Sequence, residues 1–200
     1  MTHISWFMEK IISYLQTHFE LSQTEVEIFL SSFTPLQLKK KDLFLEMGKT
    51  CQRIGLIQHG LMVCSYNQDG KEIVDEFAYE PGFVTNYYSF LSQTPSLKEI
   101  RCVEDCDLYV ISRQKLAEMG KNYPFLERMS RKVSEQLFLR SQERICSLLL
   151  DSATLRYQKL VAFRSDLAKR IPQYLLAAYL NVKPETVSRI RKKLTKQAVS

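Results

Sequence analysis

The chain lacks the features that mark membrane proteins, disulfide scaffolds and metal-dependent hydrolases. No run of about 18 apolar residues occurs, so nothing in the sequence reads as a membrane span. The N-terminal stretch, MTHISWFMEKIISYLQTHF, is interrupted by Glu9 and Lys10 and has no basic start followed by a clean apolar core, which argues against a signal peptide. Histidine is scarce, with only His3, His18 and His59. There is no HExxH, no phosphate-cradling glycine loop and no plausible nucleophile–base pairing among those histidines, so the sequence points away from an enzyme. The five cysteines, Cys51, Cys64, Cys102, Cys106 and Cys146, are odd in number and scattered. They argue against a disulfide framework and fit a reducing cytoplasm. Cys102 and Cys106 are the only close pair; they read as buried strand cysteines rather than metal ligands, and neither a metal nor a cofactor is expected.

What is present is ordinary globular composition: 200 residues, 45% hydrophobic and 25% charged, enough for one large domain or two smaller ones. The net charge of +6 is unevenly placed. Between positions 181 and 200 stand Lys183, Arg189, Arg191, Lys192, Lys193 and Lys196 against Glu185 alone, which concentrates the positive field at the C-terminal end.

That end also carries the most specific pattern, IPQYLLAAYLNVKPETVSRIRKKL from Ile171 to Leu194. Leu176, Leu180, Val182, Val187 and Ile190 fall where two short helices each bury one face, with Ala177 at their close crossing. Asn181 sits at the turn, where a left-handed residue is needed. Pro172 and Pro184 each fit the first position of a helix. On the second helix Val187, Ile190 and Leu194 share the buried face, leaving Glu185, Arg189, Lys192 and Lys196 outside. Arg189 can pair with a guanine, Glu185 can accept from a cytosine amine, and Thr186 and Ser188 can reach phosphates or base edges. Gln173, Lys183, Lys192 and Lys193 complete the expected contact set to double-stranded DNA. The plainer alternative is a helical hairpin with a solvated face, on which Glu185 and Arg189 form a surface pair.

Upstream, Ile4, Phe7, Ile11, Ile12 and Leu15 are spaced for a helix, and Ser22 with Glu25 makes a capping box for a second one through Val26, Phe29 and Leu30. From about Thr34 to Ser112 the period shortens to β-type runs: Leu36–Lys39, Leu43–Leu45, Arg53–Gln58, Leu61–Tyr66, Ile73–Ala78, Glu99–Val103 and Asp107–Ile111. Turns fall at Met47-Gly48, His59-Gly60, Asp69-Gly70 and Pro81-Gly82. Many short, evenly spaced strands indicate a double-sheet roll or sandwich. The insert from Gly82 to Lys98 is aromatic and polar, and Tyr87, Tyr88, Phe90 and Leu91 can form a helical turn at the mouth of the roll. A cavity there would suit a small effector, with Thr85, Asn86, Tyr87, Tyr88, Ser96 and Lys98 as candidate lining; the same aromatics equally fill the roll's own core. After Ser112 the spacing is helical again. From Pro124, Leu126, Met129, Val133, Leu137, Arg140 and Arg144 follow a three-four pattern, widened by Phe125, Phe138, Ile145 and Leu148. About seven turns of this kind suit a helix that packs on the roll and pairs with its copy in a second subunit, or a long core helix within one chain. Leu155, Leu160 and Val161 mark a connecting helix.

A β-roll, a long helix and a C-terminal helix pair containing PETVSRIRKKL resemble the Crp/Fnr family of bacterial transcription regulators over nearly the whole chain. The resemblance implies an α+β architecture: an N-terminal double-stranded β-helix (jelly-roll-like) sensor domain with its leading helices over 1–123, a dimerisation helix over 124–150, and an all-α helix-turn-helix DNA-binding domain over 151–200. It implies a cytoplasmic homodimer on a near-palindromic operator, with RNA polymerase as a further partner and an unknown small effector in the roll. In Glu185-Thr186-Val187-Ser188-Arg189-Ile190 it makes Glu185 and Arg189 base readers and Thr186 a phosphate contact. Pro184 stands where many members carry another base-reading arginine, so the operator should differ from that of cyclic-AMP-responsive relatives. Those relatives bind the nucleotide through a Gly-Glu pair and an Arg-Ser or Arg-Thr pair; here Thr85-Asn86 and Ser96-Leu97 occupy these places, with no arginine between Arg53 and Arg101. A buried cyclic phosphate needs a bidentate cation, which Lys98 replaces poorly. Relatives often continue into a wing strand after Leu194, so any wing hairpin here would precede the two helices or be missing. The rival reading is a small-molecule-binding module whose helical tail docks a protein partner.

Overall fold

The computed structural model describes residues 2–197, with side chains described from Glu9 to Leu194 except Phe163. Two helices lead, α1 (Thr2–Phe19) and α2 (Gln23–Leu30). The capping box forms: the Ser22 hydroxyl accepts from the Glu25 amide at 3.2 Å, and the Glu25 carboxylate accepts from the Ser22 amide at 2.9 Å. Ile11 and Leu15 are buried as their spacing requires, whereas Ile4 and Phe7 lie outside the described side chains.

Eight strands follow: β1 (Thr34–Leu38), β2 (Leu43–Leu45), β3 (Arg53–His59), β4 (Leu61–Gln68), β5 (Lys71–Tyr79), β6 (Gly82–Val84), β7 (Lys98–Cys102) and β8 (Cys106–Ser112). A one-turn helix, α3 (Tyr87–Ser92), stands between β6 and β7. The strands form two four-stranded sheets, ordered β1-β8-β3-β6 and β2-β7-β4-β5. Strand β6 is absent from the runs read in the sequence. Its three residues are too few to show alternation, and they form a strand because Gly55, Leu56 and Ile57 of β3 offer them an antiparallel partner. The Asp69-Gly70 turn carries φ of 52° and 81°, the pair of positive angles that a two-residue hairpin between β4 and β5 demands. Gly60 is required for another reason: a Cβ there would lie 2.5 Å from the Cys106 sulfur.

Helix α4 (Arg113–Gly120) precedes the long helix α5 (Phe125–Leu150), and α6 (Ala153–Phe163), α7 (Ser165–Arg170), α8 (Gln173–Tyr179) and α9 (Pro184–Gln197) complete the chain. No strand follows β8 among the described residues, so no wing hairpin precedes the last two helices there. None of the described helices is long and apolar enough to cross a membrane.

Two compact units result. The first holds residues 1–64 and 77–136, the second 65–76 and 137–200. In the first, one apolar layer lies between the two sheets, with Phe44, Ile57, Met62, Phe90, Ile100 and Leu108 inside. A second layer seals the other face of the β3–β8 sheet, where Leu56 and Ile111 meet Ile11, Leu15, Phe29, Met119 and Phe125. Covering both faces explains why β3 is apolar without alternation. Cys51, Cys64, Cys102 and Cys106 are all buried in the inter-sheet layer.

The start of the long helix packs on the roll: Leu126 and Met129 of the three-four pattern are buried in the first unit's core, and Val133 packs against it. The apolar stripe that stays uncovered runs further along α5 through Phe138, Ile145 and Leu149, spaced seven and four residues, with Leu148 beside it. Arg144 is not on that stripe either; it turns into the second unit, where α8 and the β4–β5 hairpin occupy it.

Candidate functional site

The first candidate surface is built on the α8–α9 pair. Leu175, Leu176, Ala177, Leu180, Val187 and Ile190 are buried and weld the two helices together, with Leu167, Ala168 and Ile171 contributed from α7 and its end. Asn181 adopts φ 52°, the left-handed turn its position called for. The turn closes as a Schellman motif, with the Val182 amide on the Ala177 carbonyl at 3.0 Å and the Asn181 amide on the Ala178 carbonyl at 3.2 Å. Pro184 opens α9 as expected. Pro172 does not open α8: its ψ of 141° is extended, so it serves as the capping residue and helical geometry starts at Gln173.

With one face of α9 fixed inward, Glu185, Arg189, Lys192 and Lys193 are exposed together, and Lys183 is exposed just before the helix. Lys196 lies outside the described side chains. Thr186 and Ser188 are half-buried flanks of this face. An Arg189 guanidinium nitrogen donates to the Thr186 hydroxyl at 3.1 Å, which holds the arginine over the first turn of the helix. Gln173 and Ser188 are brought together rather than left independent: the Gln173 amide donates to the Ser188 hydroxyl at 2.9 Å and to the Pro184 carbonyl at 3.1 Å, bracing the start of α8 against α9. Arg191 is withdrawn from the basic face, its Nε donating to the Tyr157 hydroxyl at 3.2 Å. Tyr174, half-exposed beside Gln173, is a surface aromatic that the sequence reading missed; its neighbour's polarity was the one available signal.

Beneath this pair lie two arginines whose roles the sequence did not reveal. An Arg144 nitrogen donates to the Tyr179 carbonyl at 2.6 Å, and its guanidinium lies 3.9 Å from the centroid of the Tyr179 ring. Arg156 donates to the Leu180 carbonyl at 2.8 Å and to the Asp151 carbonyl at 2.6 Å. Burial lowers the Arg144 pKa, partly opposed by Tyr179 and Asp75. A basic residue on an apparently apolar helical face, as Arg144 was, is the signal that could have found it.

The second candidate surface is the polar cluster around α3. Asn86 caps this helix, accepting from the Ser89 amide at 3.3 Å, and its own amide donates to the Ser96 hydroxyl at 2.6 Å. Ser96 in turn donates to the Lys98 carbonyl at 2.6 Å and accepts from the Lys98 amide at 3.1 Å. Ser89 accepts from the Cys51 amide and donates to the Thr94 carbonyl. Thr85 donates to the Arg53 carbonyl at 3.2 Å. Asn86, Ser89 and Ser96 are all buried. The structure therefore unites Thr85, Asn86, Ser96 and the Lys98 backbone but not the two tyrosines. Tyr87 reaches the Ser134 hydroxyl of α5 at 2.9 Å, and Tyr88 is 73% exposed. Of the expected aromatic cover only Phe90 enters the roll, while Leu91 faces outward.

In this cluster, hydrogen bonds within the chain occupy the buried polar groups of Asn86, Ser89 and Ser96 and the hydroxyl of Thr85. Isothermal titration with cyclic AMP is accordingly expected to give no heat at micromolar concentrations; saturable binding at that level would overturn the expectation.

Comparison with known proteins adds the following. Residues 35–123 match the family model of the cyclic nucleotide-binding domain. None of the curated protein sequences matches the chain. Among solved structures, the global regulator CLP of Xanthomonas campestris, described as c-di-GMP responsive, superposes with a TM-score of 0.69 at 18% identity, over 86% of this chain and 91% of that one. FixK2 from Bradyrhizobium japonicum gives 0.75 at 14% identity over 83% and 86%. The Thermus thermophilus catabolite activator protein gives 0.57 at 21% identity over 90% and 86%. The chain thus combines a segment matching the cyclic nucleotide-binding domain with a fold that it shares, over most of its length, with these proteins.

Proposed function

We propose that the chain is a homodimeric, sequence-specific DNA-binding transcription regulator of the Crp/Fnr type, with α8–α9 as its helix-turn-helix and α9 as the reading helix. One observation carries the reading: α9 buries Val187 and Ile190 against α8 and presents Glu185, Arg189, Lys192 and Lys193 together on its free face, behind a left-handed turn at Asn181. A helix so mounted can enter a major groove, with Arg189 and Glu185 at base edges and the lysines, Thr186 and Ser188 at phosphates. Two copies set about 34 Å apart would read a near-palindrome. RNA polymerase would be a further partner. An effector at the α3 cluster would act through α5, whose two halves belong to the two compact units.

The test is selection of bound duplexes from a random library at near-physiological salt, followed by Arg189→Ala and Lys192→Ala. Enrichment of a two-fold symmetric motif is expected, with Arg189→Ala costing about 1–3 kcal/mol and relaxing preference at one base. Lys192→Ala is expected to weaken all duplexes about equally and to flatten the salt dependence by about one ion. Binding that is wholly unspecific and steeply salt-dependent would sink the reading in favour of a tail that docks a protein.

A further inference from the structure

Arg144 and Arg156 present a problem that the DNA-reading proposal does not use. Their guanidinium groups sit inside the second unit, and the Nε of each is buried with no hydrogen-bond partner among the described residues. Two partly enclosed cations would ordinarily form ion pairs with carboxylates. Asp75 and Asp151 act on them only as nearby charges, and their hydrogen bonds go mainly to helix ends. The last four carbonyls of α8 and its cap must be satisfied from outside the helix. Ala177 and Ala178 are taken by the Schellman turn, and Tyr179 and Leu180 are taken by Arg144 and Arg156 respectively. Arg156 reaches at the same time to the end of α5, donating to the Asp151 carbonyl at 2.6 Å and lying 3.5 Å from that of Ser147. Arg156 therefore lies between two helix C-termini, whose partial negative charge adds to that of the nearby Asp151 carboxylate. Arg144 has a third partner: one of its nitrogens lies 3.5 Å from the carbonyl of Val74, on the β4–β5 hairpin, with Asp75 as a nearby favourable charge.

We propose that Arg144 and Arg156 are positioning residues for the reading helix. They fasten the C-terminus of α8, and with it the turn into α9, to the end of α5, and Arg144 ties the same point to the β4–β5 hairpin. The hairpin is a continuation of two strands of the roll, so a displacement of those strands would reach α8 through one guanidinium without passing along the core. The proposal rests on the DNA-reading role of α9 for its consequence, but the tie itself can be measured without DNA.

The experiment uses the full chain with Arg144→Met, which keeps the stem and removes the charge and the donors. Amide hydrogen exchange is followed at residues 65–76 and 176–183, and DNA affinity is measured on operators whose half-site spacing is varied one base pair at a time. Exchange is expected to rise about tenfold in both segments together, while α1 to α4 stay protected. The preference for one spacing is expected to flatten by about tenfold, with the base preference at the Arg189 position retained; a purely structural loss would instead lower affinity equally at every spacing. Faster exchange in 176–183 with an unchanged hairpin would overturn the tie, and an intact spacing preference would overturn the positioning role. If Arg144→Met loses the helix pair, Arg144→Lys carries the same readouts. Its single ammonium cannot stack on Tyr179 and span both carbonyls, so hairpin exchange should rise about threefold, and no change would overturn the proposal. Failure of the wild-type protein to select DNA would defeat the regulator reading and leave the exchange arm standing as the test of the tie.

Discussion

Ile145→Glu is expected to turn the proposed homodimer into a monomer and to abolish the proposed operator binding at concentrations where the parent chain binds fully. Phe138, Ile145 and Leu149 line one side of α5 with exposures of 63%, 48% and 77%, so none of them is buried among the described residues. Leu139 and Leu148 are exposed beside them, while Arg140, Ser141, Gln142 and Glu143 separate Phe138 from Ile145, so the apolar surface is a stripe bordered by polar groups. A homodimer would bring each side chain against its copy across a two-fold axis, so one substitution acts twice. Burying a residue such as Ile or Phe contributes about 1.5–3 kcal/mol, and a pair of facing carboxylates adds repulsion and desolvation to the loss. Dimer dissociation should therefore be favoured by at least about a hundredfold, and sedimentation at micromolar concentration should show it. Fold and thermal stability of the monomer should change much less than dimerisation, because Ile145 is already half exposed and belongs to neither buried core layer. A variant that still sediments as a dimer would place the subunit interface elsewhere, and Leu126 or Met129 could not take its role because the first unit already encloses them.

Ala177→Leu is the second large effect. Ala177 is 1% exposed, and its carbonyl receives the Val182 amide that closes the turn. Three added carbons have no space to enter between α8 and α9, and overpacking of this kind costs about 1–3 kcal/mol while forcing the helices apart. The expected result is a lower thermal midpoint together with a loss of DNA affinity of tenfold or more, about equal for every operator tested. Arg189→Ala should differ in both respects, leaving the midpoint nearly unmoved and changing preference at one base. If Ala177→Leu bound and melted like the parent chain, the close crossing of the two helices would not exist.

The two substitutions probe features of unequal legibility. Ala177, Asn181 and Pro184 could be read from the chain alone because each answers a local demand: a close crossing, a left-handed turn, a helix start without a free amide. The same holds for Ser22 with Glu25, for the paired positive φ angles of Asp69-Gly70, and for the change from a period near two to one near 3.6 at Ser112. Such signals depend on a few neighbouring residues. Strand β6, with three residues, was illegible because its partner β3 lies some thirty positions away and supplies the only reason for it to be extended. Pro172 shows the limit of a local rule, since either the cap or the first helical position accepts a proline and the bend from α7 into α8 decided between them.

The sequence by itself determined the division into a β-rich part and a helical part, the direction in which α9 faces, and the basic character of that face, because periodicity and charge spacing are properties of one segment at a time. Only the tertiary structure decided which part of α5 is consumed in a core and which stays exposed, since two equally apolar stripes of one helix differ only in what packs against them. It also decided that the buried side chains of Asn86 and Ser96 pair with each other, that Ser89 serves the backbone of Cys51 and Thr94, and that Arg144 and Arg156 serve the carbonyls at the end of α8. A polar or charged side chain has no preferred partner until the fold closes around it; the partner is then whichever unsatisfied group the enclosure leaves within reach.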